Sequence, residues 1–381
     1  MARLGDVCDI LNGFAFKSEQ YVDDGIRIIR IANVQKGYIE DSTPVFYPID
    51  SKDAKKYSLE EGDMLMSLTG NVGRVARLSK EFLPAALNQR VACLRIKDGV
   101  AIDKAFLFNL LNSDYFEQQC IAASKGVAQK NMSTEWIKGY EIPIFSMEQQ
   151  KAIASVLDKV SDLITLRKEQ LAKLDQLVKS RFIELFGDPV YNNNGLPTKK
   201  LCELGSLDRG RSQHRPRNDP KLLNGPYPLI QTGEVASAGL YITEYKNTYS
   251  ELGLQQSKMW KAGTLCITIA ANIAQTAILT FDACFPDSVV GFVPNDAVSA
   301  IYMHYWFGFF QKILEEQAPQ VAQKNINLKI LSDLDVMVPT KEQQEQFAVF
   351  VEQTDKSKLT IQQSLDKLEL LKKSLMQKYF G

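Results

Sequence analysis

The stretch "EQQKAIASVLDKVSDLITLRKEQLAKLDQLVKSRFIELF", from Glu148 to Phe186, determines the fold. An apolar residue recurs every seventh position, with Val160 and Leu174 between members of this row: Leu157, Ile164, Leu171, Val178 and Leu185. Such spacing is typical of a long amphipathic helix. Lysine, glutamate, glutamine and aspartate, which are good helix formers, fill its polar positions. Ser146, three residues before Gln149, predicts a capping box at its first turn.

A second copy of this helix lies 194 residues further along the chain, from Glu342 to Phe380. Its apolar positions are Phe347, Val351, Ile361, Leu365, Leu368 and Leu375. Lys358 and Lys372 interrupt its seven-residue row. We therefore expect the surface along which the two helices pack, called the seam below, to be less regular on this copy. Each copy has an apolar stripe of similar length, and the economical way to bury both stripes is for the two helices to pack against each other.

The repeat extends beyond the helices. "VAQKN" occurs at Val127 to Asn131 and again at Val321 to Asn325, and the frame then continues without a gap over 61 residues. Short strand-like runs such as "GDMLMSLTG" and "VACLRI" precede one helix, and "GTLCITIAA" and "SVVGFVP" precede the other. This predicts an α/β chain with mixed α/β domains at 1–146 and 199–340, long helices at 147–187 and 341–381, and a linker at 188–198.

Composition limits the function classes. The 381 residues carry 45 Lys+Arg and 45 Asp+Glu, so any site for nucleic acid must be local. The six cysteines have no C-x-x-C pair, which is typical of small buried side chains in a reducing cytosol. The N-terminus lacks a signal-peptide pattern and no apolar run reaches membrane-spanning length. We therefore expect a soluble cytoplasmic protein without a membrane or metal site.

The sequence lacks the catalytic motifs of several enzyme classes. There is no G-x-x-x-x-G-K-[ST] loop to hold nucleotide phosphates, and no Asn-Pro-Pro-Tyr or Asp-Pro-Pro-Tyr motif of amino-methyltransferases. Pro286-Asp287 has no E-x-K after it, as a metal-dependent nuclease would require. For His304, in an aromatic helical run, packing is favoured over catalysis. The chain is predicted to have no catalytic residues.

Contact with nucleic acid has better support. "RGRSQHRPR" brings Arg209, Arg211, Gln213, Arg215 and Arg217 into one loop without an acidic residue, which suits DNA phosphates and guanine edges. The matching loop of the first domain, "NGFAFKS", has one charge, Lys17. It also has two phenylalanines, Phe14 and Phe16, which we place near the surface and for which core packing is favoured over base stacking.

Turns rich in amides and glycine supply further candidates, because amide side chains can bind adenine and glycine lets a backbone approach phosphate. These candidates are Asn71, Arg74, Gln89, Arg90, Thr232 and Asn272. The repeated pentapeptide adds Lys130, Asn131, Lys324 and Asn325, which either cap a helix end or hold backbone phosphate.

These motifs together resemble the DNA specificity subunits of type I restriction-modification systems. The resemblance covers nearly the whole chain, including "LGDVCDILNG", "GDMLMSLTGNVGRVARL", "VAQKN" and the long helix with their second copies. It implies two target recognition domains, each reading one half of a split double-stranded DNA site, and two long antiparallel helices that form a coiled coil with pseudo-twofold symmetry.

The resemblance also implies partners. Two methylation subunits with S-adenosylmethionine would dock on the paired helices, and restriction subunits with ATP and Mg would join them, while this chain binds no cofactor. The candidate residues for inter-helix packing and docking are Leu157, Ile164, Leu171, Leu174, Val178, Ile361, Leu365, Leu368 and Leu375. The alternative is an orphan or phage-borne adaptor or decoy that binds methylation subunits without productive DNA reading.

Overall fold

A computed structural model of the chain describes residues 1–124, 126, 130–270, 273–317 and 326–381. The described chain forms two compact units. Unit 1 consists of Met1–Glu169 and Gln362–Gly381, and unit 2 of Gln170–Ile361. Each unit thus combines one mixed α/β domain with part of both long helices, a division that the sequence boundaries above do not follow. No helix of the described segments is both long and apolar enough to cross a membrane.

Unit 1 begins with short strands and ends in a long helix. Its strands are β1 (Ala2–Arg3), β2 (Cys8–Asn12), β3 (Ile26–Ile29), β4 (Phe46–Tyr47), β5 (Met64–Ser67), β6 (Val75–Arg77), β7 (Ala85–Leu87), β8 (Val91–Ile96) and β9 (Glu141–Ile142). Its helices are α1 (Leu4–Val7), α2 (Lys52–Lys56), α3 (Lys104–Leu111), α4 (Asp114–Ala123), α5 (Thr134–Gly139) and α6 (Met147–Phe186), of which α6 continues into unit 2.

The main sheet of unit 1 has the antiparallel order β2-β8-β5-β6, and a second sheet has the order β4-β3-β7. Successive residues of a strand point to opposite faces of a sheet. Met64, Met66 and Leu94 accordingly belong to the cluster that packs on the helices, whereas Leu65 and Cys93 belong to a separate cluster on the other face. Burial on both faces explains why these runs are apolar throughout rather than alternating.

The apolar stretch between β8 and α5 forms two helices, α3 and α4, rather than one. The side chain of Ser113 accepts a hydrogen bond from the backbone N–H of Phe116 and starts α4 as a new helix. An N-cap serine competes with helix continuation because its hydroxyl satisfies a first-turn donor.

Unit 2 repeats this plan, with one more strand in each of its two main sheets. Its strands are β10 (Thr198–Lys200), β11 (Gly205–Arg209), β12 (Leu223–Leu229), β13 (Tyr241–Ile242), β14 (Asn247–Tyr249), β15 (Met259–Trp260), β16 (Leu265–Thr268), β17 (Thr276–Leu279), β18 (Ala283–Cys284), β19 (Val289–Pro294) and β20 (Asp335–Met337). Its helices are α7 (Thr232–Ser237), α8 (Glu251–Gln255), α9 (Ala300–Gln317), α10 (Leu328–Ser332) and α11 (Lys341–Phe380), and α11 ends in unit 1. The sheets have the orders β11-β19-β16-β17-β13 and β14-β12-β18-β15.

A buried glutamine at the start of each long helix explains why "EQQ" recurs. The side chains of Gln150 and Gln344 each bond one backbone N–H and two backbone carbonyls. For Gln150 these belong to Asp103 (2.8 Å), Phe145 (2.9 Å) and Ala101 (3.3 Å). For Gln344 they belong to Ser299 (2.8 Å), Ala297 (2.9 Å) and Pro339 (3.1 Å). The preceding glutamines form capping boxes, with Ser146 for α6 as predicted and with Thr340 for α11.

The two long helices run antiparallel within each unit. In unit 1, Leu157 near the start of α6 shares a core cluster with Phe380 at the end of α11, and further along Lys168 pairs with Glu369 at 2.9 Å. In unit 2, the ring of Phe182 near the end of α6 lies 5.4 Å from that of Phe347 near the start of α11. The predicted helix pairing is therefore confirmed.

The seam residues do not all have the predicted role. Leu157 and Val178 are fully buried in the cores of units 1 and 2, where they pack with domain residues as well as with the other helix. Leu365 is also buried. The half-buried members are Ile164, Leu171, Leu174, Ile361, Leu368 and Leu375.

Both lysines that interrupt the row lie in the seam. Lys358 forms ion pairs with Asp175 and Asp355. Burial, together with the nearby charge of Lys36, lowers the pKa of Lys372. In unit 2, these ion pairs compensate the charge of Lys358 within the seam.

Candidate nucleic-acid interface

In unit 1, the loop after β2 lies against the segment after β7. Phe14 N donates to Leu87 O at 2.9 Å, and Gln89 N donates back to Phe14 O at 2.9 Å. The approach is so close that a Cβ atom at Gly13 would lie 2.1 Å from Asn88 O. Glycine at this position is therefore required by the contact between the two segments.

The hairpin between β5 and β6 lies next to these segments. Ser67 Oγ accepts from Arg74 N at 3.1 Å and closes the turn. Leu68 N donates to Arg90 O at 3.0 Å, and Gly70 N donates to Lys130 O at 2.9 Å. Four segments, 13–17, 67–74, 87–90 and 130–132, are thus joined by backbone hydrogen bonds, and we call them the unit 1 loop strip.

Six predicted residues lie exposed on the unit 1 loop strip: Lys17, Asn71, Gln89, Arg90, Lys130 and Asn131. Arg74 differs, because it is half-buried and its guanidinium donates to the side chain of Gln35. Phe14 and Phe16 are not surface residues. Phe16 is buried with its ring 4.8 Å from that of Tyr47, so core packing is confirmed for it.

Unit 2 has the same arrangement of loops. Gly210 N donates to Val289 O at 2.9 Å, and a Cβ atom at Gly210 would lie 2.2 Å from Phe285 O. The hairpin after β16 is closed by Gln275 N, which donates to Thr268 Oγ1 at 3.1 Å. Ile269 N donates to Ser288 O at 3.0 Å. The unit 2 loop strip consists of 210–217, the described part of 268–275, 285–289 and 326.

The residue after the repeated pentapeptide has the same contact in both units. Met132 N donates to Leu68 O at 2.9 Å, and Ile326 N donates to Ile269 O at 3.0 Å. In unit 1, α6 is capped by Ser146 and α5 by Ser133, so the helix-capping alternative for Lys130 and Asn131 is wrong. Asn272, Lys324 and Asn325, together with 127–129, lie outside the described residues.

The arginine loop is free of acidic residues in sequence but not in space. Arg217 Nη2 lies 2.6 Å from Asp287 Oδ1, and Arg215 Nη2 lies 3.7 Å from Asp287 Oδ2. Asp287 comes from the segment after β18, which backbone hydrogen bonds place beside the loop. Arg209 and Arg211 are exposed and have no ion pair with any described residue. These two arginines are therefore the ones available for phosphate.

The shape of the arginine loop depends on two residues that sequence reasoning missed. Gln256 Oε1 accepts from the backbone N–H groups of Gln213 (2.7 Å) and His214 (3.0 Å). Ser257 Oγ donates to Arg211 O at 3.0 Å. Both follow α8, more than forty residues along the chain, and no local motif marks them. They hold the loop in place before any ligand binds.

Other predicted polar residues have different surroundings. His214 Nε2 lies 3.1 Å from Asp219 Oδ2; the pKa of Asp219 is lowered by the backbone N–H of Lys221 and then by His214. His304 lies in α9, with Nδ1 3.0 Å from Thr276 Oγ1, and burial lowers its pKa to about 4, so it is neutral at pH 7. Thr232 is the half-buried first residue of α7.

Comparison with known proteins agrees with this architecture. A family model described as "Type I restriction modification DNA specificity domain" matches residues 1–176 and 194–370. The EcoBI specificity subunit of Escherichia coli is 24% identical over 417 residues, covering 99% of this chain and 84% of that protein. The MjaVIII specificity subunit of Methanocaldococcus jannaschii is 31% identical over 186 residues, covering 47% of this chain and 43% of its own length.

Solved structures show the same fold. The S subunit of a type I restriction-modification system from M. genitalium matches with a TM-score of 0.60 and 15% identity, over 100% of this chain and 95% of that chain. Since the family model matches both halves of the sequence, this chain belongs to the type I restriction-modification DNA specificity family, with two copies of the specificity domain.

Proposed function

We propose that this DNA specificity subunit reads a split DNA site, with one loop strip for each half-site. The observation that carries the proposal is the repetition of the same four-segment strip in both units, down to corresponding backbone hydrogen bonds. A strip that serves only folding would not need exposed, unpaired amides and cations. Both strips have such groups, for example Gln89 in unit 1 and Arg211 in unit 2.

These side chains suit the two tasks of a sequence-specific DNA-binding protein. Arg90, Arg209 and Arg211 can neutralise phosphates, which supplies affinity without sequence information. Asn71 and Gln89 can bond base edges in the major groove, which supplies specificity. The loops are joined to rigid strands, so the reading groups are positioned before DNA binds.

A selection experiment tests this function directly. The full chain, assembled with its methylation subunits, would be mixed with a pool of randomised duplexes, and the retained DNA sequenced. We expect two short blocks of fixed letters separated by a constant gap. Retained DNA without fixed letters, or with a single block, would reject the proposal.

We infer that methylation subunits dock on exposed residues, which three members of the predicted set are not. Leu157, Val178 and Leu365 are buried and cannot reach a partner. The exposed face of α6 instead carries an apolar row, Val156, Leu163, Leu166 and Leu177, which are 41% to 53% exposed. Val156, Leu163 and Leu177 are separated by multiples of seven, so they lie on one side of the helix.

On α11, Leu359 and Leu370 are 61% and 69% exposed. Large apolar side chains exposed in a row are typical of a surface that another protein covers. We infer that two methylation subunits, one for each unit, dock on these rows.

The remaining parts of the proposal concern chemistry supplied by partners. S-adenosylmethionine would bind the methylation subunits, and ATP and Mg the restriction subunits, while this chain contributes no catalytic residue. Its membership of the specificity family supports a non-catalytic role. A complex that acts on chromosomal and invading DNA would work in the cytoplasm.

A further inference from the structure

A cavity opens beside the arginine loop of unit 2. It has a volume of about 370 Å³ and is bounded by the loop, the start of α7 and β14. Its apolar side consists of Leu223, Leu229 and Tyr249. Its exposed edge includes Asn218 and Asn247. An apolar floor with a few polar groups at the mouth is the usual composition of a ligand-binding cavity.

The two asparagine amides are free to bind a ligand. Neither the Asn218 nor the Asn247 side chain makes a hydrogen bond with any residue in the described ranges. The arginine at the cavity is not free in this way, because Arg217 donates to Asp287 at 2.6 Å. The polar chemistry available at the mouth is therefore that of amides, which both donate and accept.

Unit 1 fills the corresponding space with aromatic rings. Tyr47 and Tyr249 are equivalent, because a Cβ atom at Gly25 would lie 2.2 Å from Tyr47 O and one at Gly225 would lie 2.5 Å from Tyr249 O. In unit 1, the ring of Phe16 packs on Tyr47 at 4.8 Å. In unit 2, Tyr249 lines the open cavity instead. The two units thus differ in the surface that they present next to equivalent loops.

The geometry points to the cavity as the base-reading element of unit 2, specific for an A·T base pair; this inference rests on the proposed DNA reading. In the major groove, adenine presents the N7 acceptor and the N6 donor, which an asparagine amide matches bidentately. Thymine presents a methyl group, for which the leucine floor is complementary. A G·C pair has no methyl group and is matched best by a free arginine or lysine, whereas Arg217 is paired.

The test compares the DNA sequences selected by three forms of the full-length subunit in its assembled complex. Asn218→Ala together with Asn247→Ala should abolish the preference for A·T at one position of one half-site and leave the other letters unchanged. The discrimination lost should be roughly 5- to 150-fold, as for one bidentate base contact. Asn193→Ala is the matched control, since Asn193 is also an exposed asparagine of unit 2 but does not line the cavity.

A second measurement examines the thymine methyl group. With the parent protein, replacing the thymine at that position by uracil should weaken binding about fourfold, the value of one buried methyl group. Selected letters that stay the same in the double asparagine variant would overturn the inference while leaving DNA reading intact. A parent complex that selects no sequence would reject the proposed function itself.

Discussion

Removing the two unpaired arginines of the unit 2 loop should flatten the salt dependence of DNA binding. Arg209 and Arg211 are exposed and form no ion pair with any described residue, so each can neutralise one phosphate. The logarithm of the binding constant falls with the logarithm of salt by about 0.9 for each neutralised phosphate. Arg209→Ala with Arg211→Ala should therefore reduce the slope by about 1.8.

This slope change corresponds to a measurable difference in affinity. Between about 50 and 200 mM salt, the parent should lose roughly twelvefold more affinity than the double variant. Fluorescence anisotropy with a labelled duplex, titrated with the assembled complex at several salt concentrations, measures both slopes.

The ion pair beside the loop provides a charge-neutral control. Arg217→Ala together with Asp287→Ala removes one cation and the anion that neutralises it. Arg215 also loses its contact with Asp287, so the slope should stay close to that of the parent or become steeper, and it should not flatten. If the Arg209 and Arg211 variant keeps the parental slope, or if the control flattens the slope by as much, the assignment of phosphate contacts is wrong.

The other predictions concern stability and assembly. Gln150→Leu leaves three backbone groups without their bonds and should cost about 3 kcal/mol or more of unfolding free energy; a loss below about 1 kcal/mol in denaturant titration would contradict the role of the glutamine. The pKa of His304 is about 4 in the fold against an ordinary value of 6.5, so the unfolded chain takes up a proton first and stability should fall by about 3 kcal/mol as the pH drops from 6.5 to 4; His304→Phe should abolish this loss, and an identical pH profile for both proteins would refute it. Leu163→Asp with Leu166→Asp should prevent co-purification of methylation subunits without changing the melting temperature, since both leucines are exposed; retained co-purification would exclude this row as the docking surface.

The helices and the repeat could be predicted because their signals are local. The seven-residue spacing of Leu157, Ile164 and Leu171 fixes one helix face, and the 194-residue shift carries the same pattern to the second helix. The capping box of Ser146 and Gln149 needs only residues three apart. These features require no knowledge of which segments meet in space.

The features that were missed depend on contacts between distant segments. Asp287 neutralises Arg217 from 70 residues away, and Gln256 holds the loop at Gln213 from 43 residues away. The sequence shows that "EQQ" recurs, but the reason lies in the buried bonds of Gln150 to residues far earlier in the chain. Burial of Leu157 and Val178 likewise depends on the domain cores against which the helices pack.

The measurement that tests the central claim most directly compares two matched variants, one in each unit. Asn71→Ala with Gln89→Ala alters unit 1, and Asn218→Ala with Asn247→Ala alters unit 2, in each case by removing exposed amides. DNA selected by each assembled complex would be sequenced beside that of the parent. We expect each variant to change letters in one block only, and the two variants to change different blocks. Letters altered in the same block by both variants, or in both blocks by either one, would contradict the assignment of one unit to each half-site.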